Sequence, residues 1–271
     1  MRIDCQLWRI RLDWSGIHVG ITGASSGIGR ALAIALSRQG ASVGLISRRH
    51  FELLKLENSL RLEGGKVASC PADCRNPNEM DEAIKKLESA LGPTDVMVAS
   101  AGVGYPTAID LTNLEQTTET FETNVLGVIH AFRAVLPGMI HRKSGQLAAV
   151  SSLAAFKGFP GESAYCASKA AVNTFLEGMR IRLKGTGVVV TTICPGFVKT
   201  PMTDINNFHM PFLVSADSAA QKIMKALENR KSVACFPWQV SALVGLLRLC
   251  PDRLIQWLFA DYNSSPPCQS G

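Results

Sequence analysis

Six short runs of β-branched and small apolar residues, each followed by a stretch of helical length, limit this chain to few architectures. The runs are GIHVGIT (16–22), ASVGLIS (41–47), KVASC (66–70), TDVMVAS (94–100), GQLAAVSS (145–152) and GVVVTTIC (187–194). Between them, Ala and Leu recur at helical spacing over 27–40, and a helix over 51–63 is stopped by Gly64 and Gly65. Asn76, Pro77 and Glu79 supply a cap, a first-turn proline and a capping-box carboxylate for the next helix. Further helices are predicted over 115–141, 162–184 and 216–228. Strands separated by helix-length segments imply a parallel sheet, whose strands need such long crossovers. The expected fold class is therefore α/β, a doubly wound parallel sheet covered on both faces.

No Pro- or Gly-rich linker and no internal repeat divides the 271 residues, so a single domain is expected over 16–236. An N-terminal extension (1–15) precedes it, and an apolar C-terminal helical extension (237–262) and a disordered tail (263–271) follow. A hydrophobic share of 46% against 18% charged leaves ample material for a core. The net charge of +6 is scattered, and HRK (141–143) and RKS (230–232) are too short to hold nucleic acid. That charge favours an anionic ligand such as a phosphorylated cofactor. The eight cysteines include no Cys-x-x-Cys pair and the histidines do not cluster, so buried reduced thiols are expected and no metal site. Arg2, Asp4, Arg9, Arg11 and Asp13 leave no apolar core for a signal peptide, and the expected location is cytoplasmic.

SVACFPWQVSALVGLL (232–247) carries sixteen uncharged residues but is broken by Pro237 and closed by Arg248. It falls short of the ~20 residues that span a bilayer, and reads as a buried helix or an interfacial anchor.

YCASK sets Tyr165 and Lys169 four positions apart within the predicted helix 162–184, one above the other on one face. A neighbouring ammonium favours phenolate and lowers a tyrosine's pKa. Bringing it to neutrality takes roughly three units, about 4 kcal/mol. At the other end, TGASSGIG (22–29) lies where the first strand meets the first helix. Gly23, Gly27 and Gly29 permit a sharp turn and close backbone approach, and the helix N-terminus suits a pyrophosphate. The end of the second strand reads LISRRH, with Arg48 and Arg49 and no carboxylate. An acidic residue there would favour NAD, whereas Arg48 can hold a 2′-phosphate, so NADP(H) is expected over NAD(H).

Taken together, TGASSGIG, SAGVG (100–104), NVLG (124–127), the serines at 151–152, YCASK and PGFVKTPM (195–202) resemble the short-chain dehydrogenase/reductase family over about residues 17–230. The resemblance implies a Rossmann-type sheet and a catalytic set of Asn124, Ser152, Tyr165 and Lys169. Ser152, thirteen residues before Tyr165, has the separation the family uses and is preferred to Ser151. It also implies a cofactor site built from Gly23, Ser25, Ser26, Gly27, Ile28, Gly29, Arg48, Asp73, Ala101, Gly102, Asn124, Tyr165, Lys169, Pro195, Gly196, Val198 and Thr200. Asp73 matches the acidic residue near the adenine, and Pro195, Gly196 and Thr200 match the segment that meets the nicotinamide. Ser100 stands where the family usually has asparagine, which puts local rigidity in doubt more than chemistry.

The chemistry implied is carbonyl–alcohol interconversion. Tyr165 donates or takes the proton, Ser152 holds the substrate oxygen, and Asn124 positions a water connecting Lys169 to solvent. Met202, Phe208, Met210 and Phe212, after Pro195-Gly196, suggest an apolar ketone, aldehyde or alcohol, while His209 reads as a loop residue. Trp238, Leu243, Leu246, Leu247, Leu249, Leu254, Ile255, Trp257, Leu258 and Phe259, with Arg248 and Arg253, could cap the cleft, meet another subunit or rest peripherally on a membrane through 238–260. A homodimer or homotetramer is expected. Two other readings stay open: a non-catalytic NADP-binding redox sensor, and a scaffold using the small face Ala164, Ala167 and Ala171.

Overall fold

The computed structural model describes residues 13–204 and 210–258. The β-branched runs form strands β1 (His18–Thr22), β2 (Ser42–Ser47), β3 (Val67–Pro71), β4 (Val96–Ala99), β5 (Gly145–Val150) and β6 (Val188–Pro195). Two short strands, β7 (Val198–Lys199) and β8 (Val214–Ser215), pair with each other, and β9 (Val233–Phe236) joins the main sheet. The seven-stranded parallel sheet has the order β3-β2-β1-β4-β5-β6-β9. The chain reverses direction of travel between β1 and β4. At such a point successive crossovers lie on opposite faces, which leaves a crevice beyond the carboxyl ends of the strands. The expected doubly wound α/β, Rossmann-type fold is the fold observed.

The helices are α1 (Gly27–Arg38), α2 (His50–Leu62), α3 (Pro77–Leu91), α4 (Leu114–Phe121), α5 (Gly127–Arg142), α6 (Ser163–Arg182), α7 (Ala216–Glu228), α8 (Trp238–Leu249) and α9 (Asp252–Leu258). Each sheet face has its own core. Leu32, Leu36, Leu53, Ile223 and Leu227 pack under α1, α2 and α7, and Met80, Leu87, Phe132, Met139 and Leu176 under α3, α5 and α6. Burying side chains of this size contributes about 1.5–3 kcal/mol each. Asn76 caps α3 as its sequence suggests, accepting from the N–H groups of Asn78 and Glu79. Trp14, in the predicted N-terminal extension, is buried and donates to Glu228 of α7 at 3.0 Å. Residues 1–12 of that extension and the predicted tail lie outside the described residues, as do Cys5 and Cys268.

Two stretches depart from the sequence reading. The predicted helix 115–141 is α4 and α5 joined by a π-helical turn, Glu122–Leu126. The combined run Leu114–Arg142 is long and apolar enough to cross a membrane, yet Val128, Ala131, Phe132, Val135 and Met139 are buried against the sheet. The segment 232–247 is also not one helix. Its first part is the edge strand β9, whose alternating burial hides Ala234 and Phe236 and exposes Val233 and Cys235. Pro237, which cannot donate to the ladder, ends that strand, and α8 follows.

Candidate active site

A cleft of about 370 Å³ opens at the carboxyl ends of β1, β2, β4, β5 and β6, on both sides of the switch point. Every residue expected to touch a cofactor lines it, with the exception of Asn124, which lies fully buried behind the wall.

At one end the backbone makes the site. Gly23 has φ +68, and a Cβ there would stand 2.8 Å from the backbone of Ala101. A Cβ on Gly29 would meet the Gly23 carbonyl at 2.5 Å, so the turn folds back on the first helical turn too tightly for any side chain. No acidic residue occupies the first turn of α1, which leaves its positive end open to an anion. The Thr22 hydroxyl accepts hydrogen bonds from the N–H groups of Ser100 and Ala101, both 3.1 Å. That pair ties the ends of β1 and β4 together at the position where Ser100 replaces the expected asparagine.

The two arginines after β2 divide. Arg49 folds over the turn, donating to Ser25 Oγ at 2.9 Å and to Ser26 Oγ at 2.5 Å. Arg48 faces α4 instead, with its guanidinium 3.4 Å from Glu119. The sequence noted both arginines but gave only Arg48 a place at the cofactor, although both line the cleft; the serines at 25–26 beside a second arginine were the available signal. Asp73 accepts a multiple hydrogen bond from Arg75, closest at 2.6 Å. Burial alone would raise its pKa, but the Arg75 bonds outweigh that and hold the carboxyl below its usual range.

At the other end the fold buries ionisable groups. Tyr165 and Lys169 lie on one face of α6, with Nζ 5.7 Å from the centre of the phenol ring. Lys169 is only 4% exposed and donates to the Val150 carbonyl at 3.0 Å. Ser151 spends its hydroxyl on the Lys169 carbonyl at 3.1 Å, whereas Ser152 Oγ sits beside the Tyr165 hydroxyl and accepts from the Ala154 N–H. The π turn delivers Asn124, whose amide clasps Val103 through both its N–H and C=O and also donates to Ser168 Oγ, each at 2.9 Å. Asn124 Oδ1 and Lys169 Nζ both face Gly102: a Cβ there would lie 3.1 Å from the first and 3.3 Å from the second. Gly104 is likewise covered by the Tyr165 ring.

The spacing suggested that Lys169 pulls Tyr165 toward neutrality. Tyr165 is half-buried and lines the cleft, and desolvation pushes its phenol up to about 12. The Ser152 hydroxyl pulls the other way, and Glu162 and Cys166 add to the rise. Burial also brings Lys169 down to about 8. Desolvation opposes both charged forms, and the four-residue spacing carries no information about depth.

The rim is apolar. Met202 lines the cleft, while Phe212 and Leu213 are exposed, and β7 pairs with β8 through Val198–Val214 and Lys199–Ser215. Phe208 and His209 lie outside the described residues. Val240 and Val244 of α8 pack with Leu153, Cys194, Phe156 and Phe159, beside Gly196. The outer side of α8 and α9 exposes Trp238, Leu246, Leu249 and Leu254; Trp257, Leu258 and Phe259 carry no described side chain.

The sequence matches the family model for short chain dehydrogenase over residues 18–210. It is 40% identical to an uncharacterized oxidoreductase of Myxococcus xanthus over 234 residues, covering 86% of this chain and 92% of that one. It is 34% identical to the ketoacyl reductase HetN of Nostoc sp., covering 80% and 77%. Among solved structures, a short chain dehydrogenase/reductase from Burkholderia phymatum in complex with NAD superposes with a TM-score of 0.81 at 22% identity, covering 96% and 99%. An alcohol dehydrogenase from Thermococcus sibiricus complexed with 5-hydroxy-NADP gives 0.74 at 26%, covering 81% and 95%. The chain belongs to the short-chain dehydrogenase/reductase family and is an oxidoreductase.

Proposed function

We propose that this short-chain dehydrogenase/reductase is NADP(H)-dependent and interconverts a carbonyl and an alcohol on an apolar substrate, with Tyr165 as acid and base. One observation carries the reading: a phenol, a buried amine and a serine hydroxyl share a single cleft with a glycine turn that a Cβ would block. When bound, a nicotinamide dinucleotide supplies or accepts the hydride. The residues do the rest. Tyr165, fully protonated at neutral pH, is a proton donor toward a carbonyl oxygen, and the Ser152 hydroxyl stabilises charge developing there. Lys169, still cationic below about pH 8, favours the phenolate left behind. Asn124 and Lys169 facing the same glycine supports the relay water that the family resemblance implies.

The preference for NADP(H) rests on Arg48 and Arg49 at the end of β2 with no carboxylate on that strand end. The NADP-type ligand of the Thermococcus sibiricus relative is in line with it, as the printed activity of the Nostoc protein is with carbonyl reduction. The apolar rim and the packing of α8 beside Gly196 favour a hydrophobic substrate and a capping role for 237–262. Assembly as a homodimer or homotetramer belongs to the same reading, and light scattering of the purified chain tests it.

The decisive experiment is a panel of apolar ketones and aldehydes assayed with NADPH and NADH on the wild type and on Arg48→Ala. The wild type is expected to turn over with NADPH, and Arg48→Ala to raise the KM for NADPH far more than for NADH. Equal effects on the two would remove the phosphate role. Cofactor binding with no turnover across the panel would favour the sensor reading.

A further inference from the structure

Glu119 of α4 sits where three elements meet, and neither the catalytic set nor the glycine turn uses it. One carboxylate oxygen, Oε2, accepts the Tyr105 hydroxyl at 2.9 Å. The other, Oε1, faces two guanidinium groups, Arg48 at 3.4 Å and Arg75 at 3.7 Å. Arg75 is already committed to Asp73 at 2.6 Å, and Glu122 approaches it at 3.9 Å. The cluster therefore holds two positive and three negative side chains, so its cations are internally neutralised. The tyrosine bond matters because it holds the carboxylate beside Arg48, which is half exposed and itself lines the cleft. Arg48 is half exposed and Glu119 about a quarter exposed, so the pair is weak and salt-sensitive and not a structural clamp.

We infer that Glu119 sets how strongly this chain discriminates NADPH from NADH, by holding a carboxylate against Arg48 where a 2′-phosphate must share the same guanidinium. The inference rests on the NADP(H) reading above and adds a restraint to it. A 2′-phosphate is a dianion at neutral pH, so it is drawn by Arg48 and repelled by Glu119. A 2′-hydroxyl carries no charge, so Glu119 does not repel it and can only accept a hydrogen bond from it. Glu119 thus acts as a specificity-determining residue that weakens binding of the preferred ligand.

The test is direct binding, by fluorescence titration with NADPH and NADH and by calorimetry with adenosine 2′,5′-bisphosphate, for wild type, Arg48→Ala, Glu119→Gln and the double variant. Glu119→Gln, which keeps shape and can still accept from Tyr105, is expected to tighten NADPH and the bisphosphate about fivefold at low salt. NADH should move less than twofold, and the gain should shrink as salt screens the charges. In the Arg48→Ala background the Glu119→Gln gain should largely vanish. A Glu119→Gln protein that binds NADPH no better, or that shifts NADPH and NADH equally, while Arg48→Ala still weakens NADPH selectively, would overturn the role of Glu119 and leave the cofactor reading standing. A wild type without preference for NADPH, together with an Arg48→Ala that changes nothing, would overturn both.

Discussion

The two ends of the cleft are built on opposite principles. The turn at 22–29 works through what its residues lack: glycines at 23 and 29 leave room that a single Cβ would fill, and the cations beside it are exposed or partly exposed. The end at Tyr165 works through what the fold covers, since Lys169 and Asn124 are withdrawn from solvent and desolvation sets the ionisation of both the phenol and the amine. On the reading proposed above, one end recognises charge in a high-dielectric setting, where individual interactions are modest and salt-dependent. On the same reading the other controls protons in a low-dielectric one, where burying a charge shifts a pKa by units. Cofactor selection should therefore respond gradually to substitution, and turnover abruptly.

Tyr165→Phe gives the largest effect expected. It should lower kcat by at least ~10³-fold while leaving the cofactor Kd within about threefold, because general acid catalysis is lost and the phosphate end is untouched. Stopped-flow turnover and fluorescence titration measure the two, and retention of most of the rate would erase the contrast between the ends.

Gly29→Ala probes the phosphate end. Its methyl group would meet the Gly23 carbonyl, and about 2 kcal/mol of strain is expected. Carried into binding, that is roughly a 30-fold rise in cofactor Kd. A Kd unchanged in a folded variant would mean that the turn has more slack than its contacts indicate.

The next effect is in pH. Lys169 loses its proton above about 8, so carbonyl reduction should be flat below that pH and fall about tenfold per unit above it. A kcat profile flat to pH 10 would show that the amine keeps its charge during turnover.

The smallest effect concerns Glu162, one residue before α6, where burial raises the carboxyl to about 7 from an ordinary 4.5. The folded state binds this proton more tightly than the unfolded one. The associated stability is therefore present below about pH 4.5 and lost as pH rises through 7. Glu162→Gln should consequently raise Tm by about 2–4 °C at pH 8 and hardly at all at pH 4.5, as read by calorimetry. An equal gain at both pH values would point to packing and not to ionisation.

Much of this contrast could be read from the chain itself, but unevenly. The glycine turn was legible because backbone freedom is a property of residue type, and Asn76-Pro77 because a cap is local. The π turn at Glu122–Leu126 was not legible, since nothing in ETNVL distinguishes it from ordinary helix; packing of Asn124 against Val103 and Ser168 accompanies it. The edge strand β9 was hidden inside an apolar run whose periodicity fits strand and helix alike over four residues. Arg48 and Arg49 are adjacent in sequence, yet their side chains go to Glu119 and to Ser25–Ser26, partners 71 and 24 positions away.

What the sequence by itself determined was the alternation of strand and helix, the glycine turn, and the order of the family's stations along the chain. These follow from local conformational preference and residue identity. Only the tertiary structure decided how deep Tyr165 and Lys169 lie, which arginine meets which partner, and that Glu119 stands opposite Arg48. Depth and long-range partnership arise from the packing of remote segments, and ionisation responds to the dielectric and charges that this packing creates.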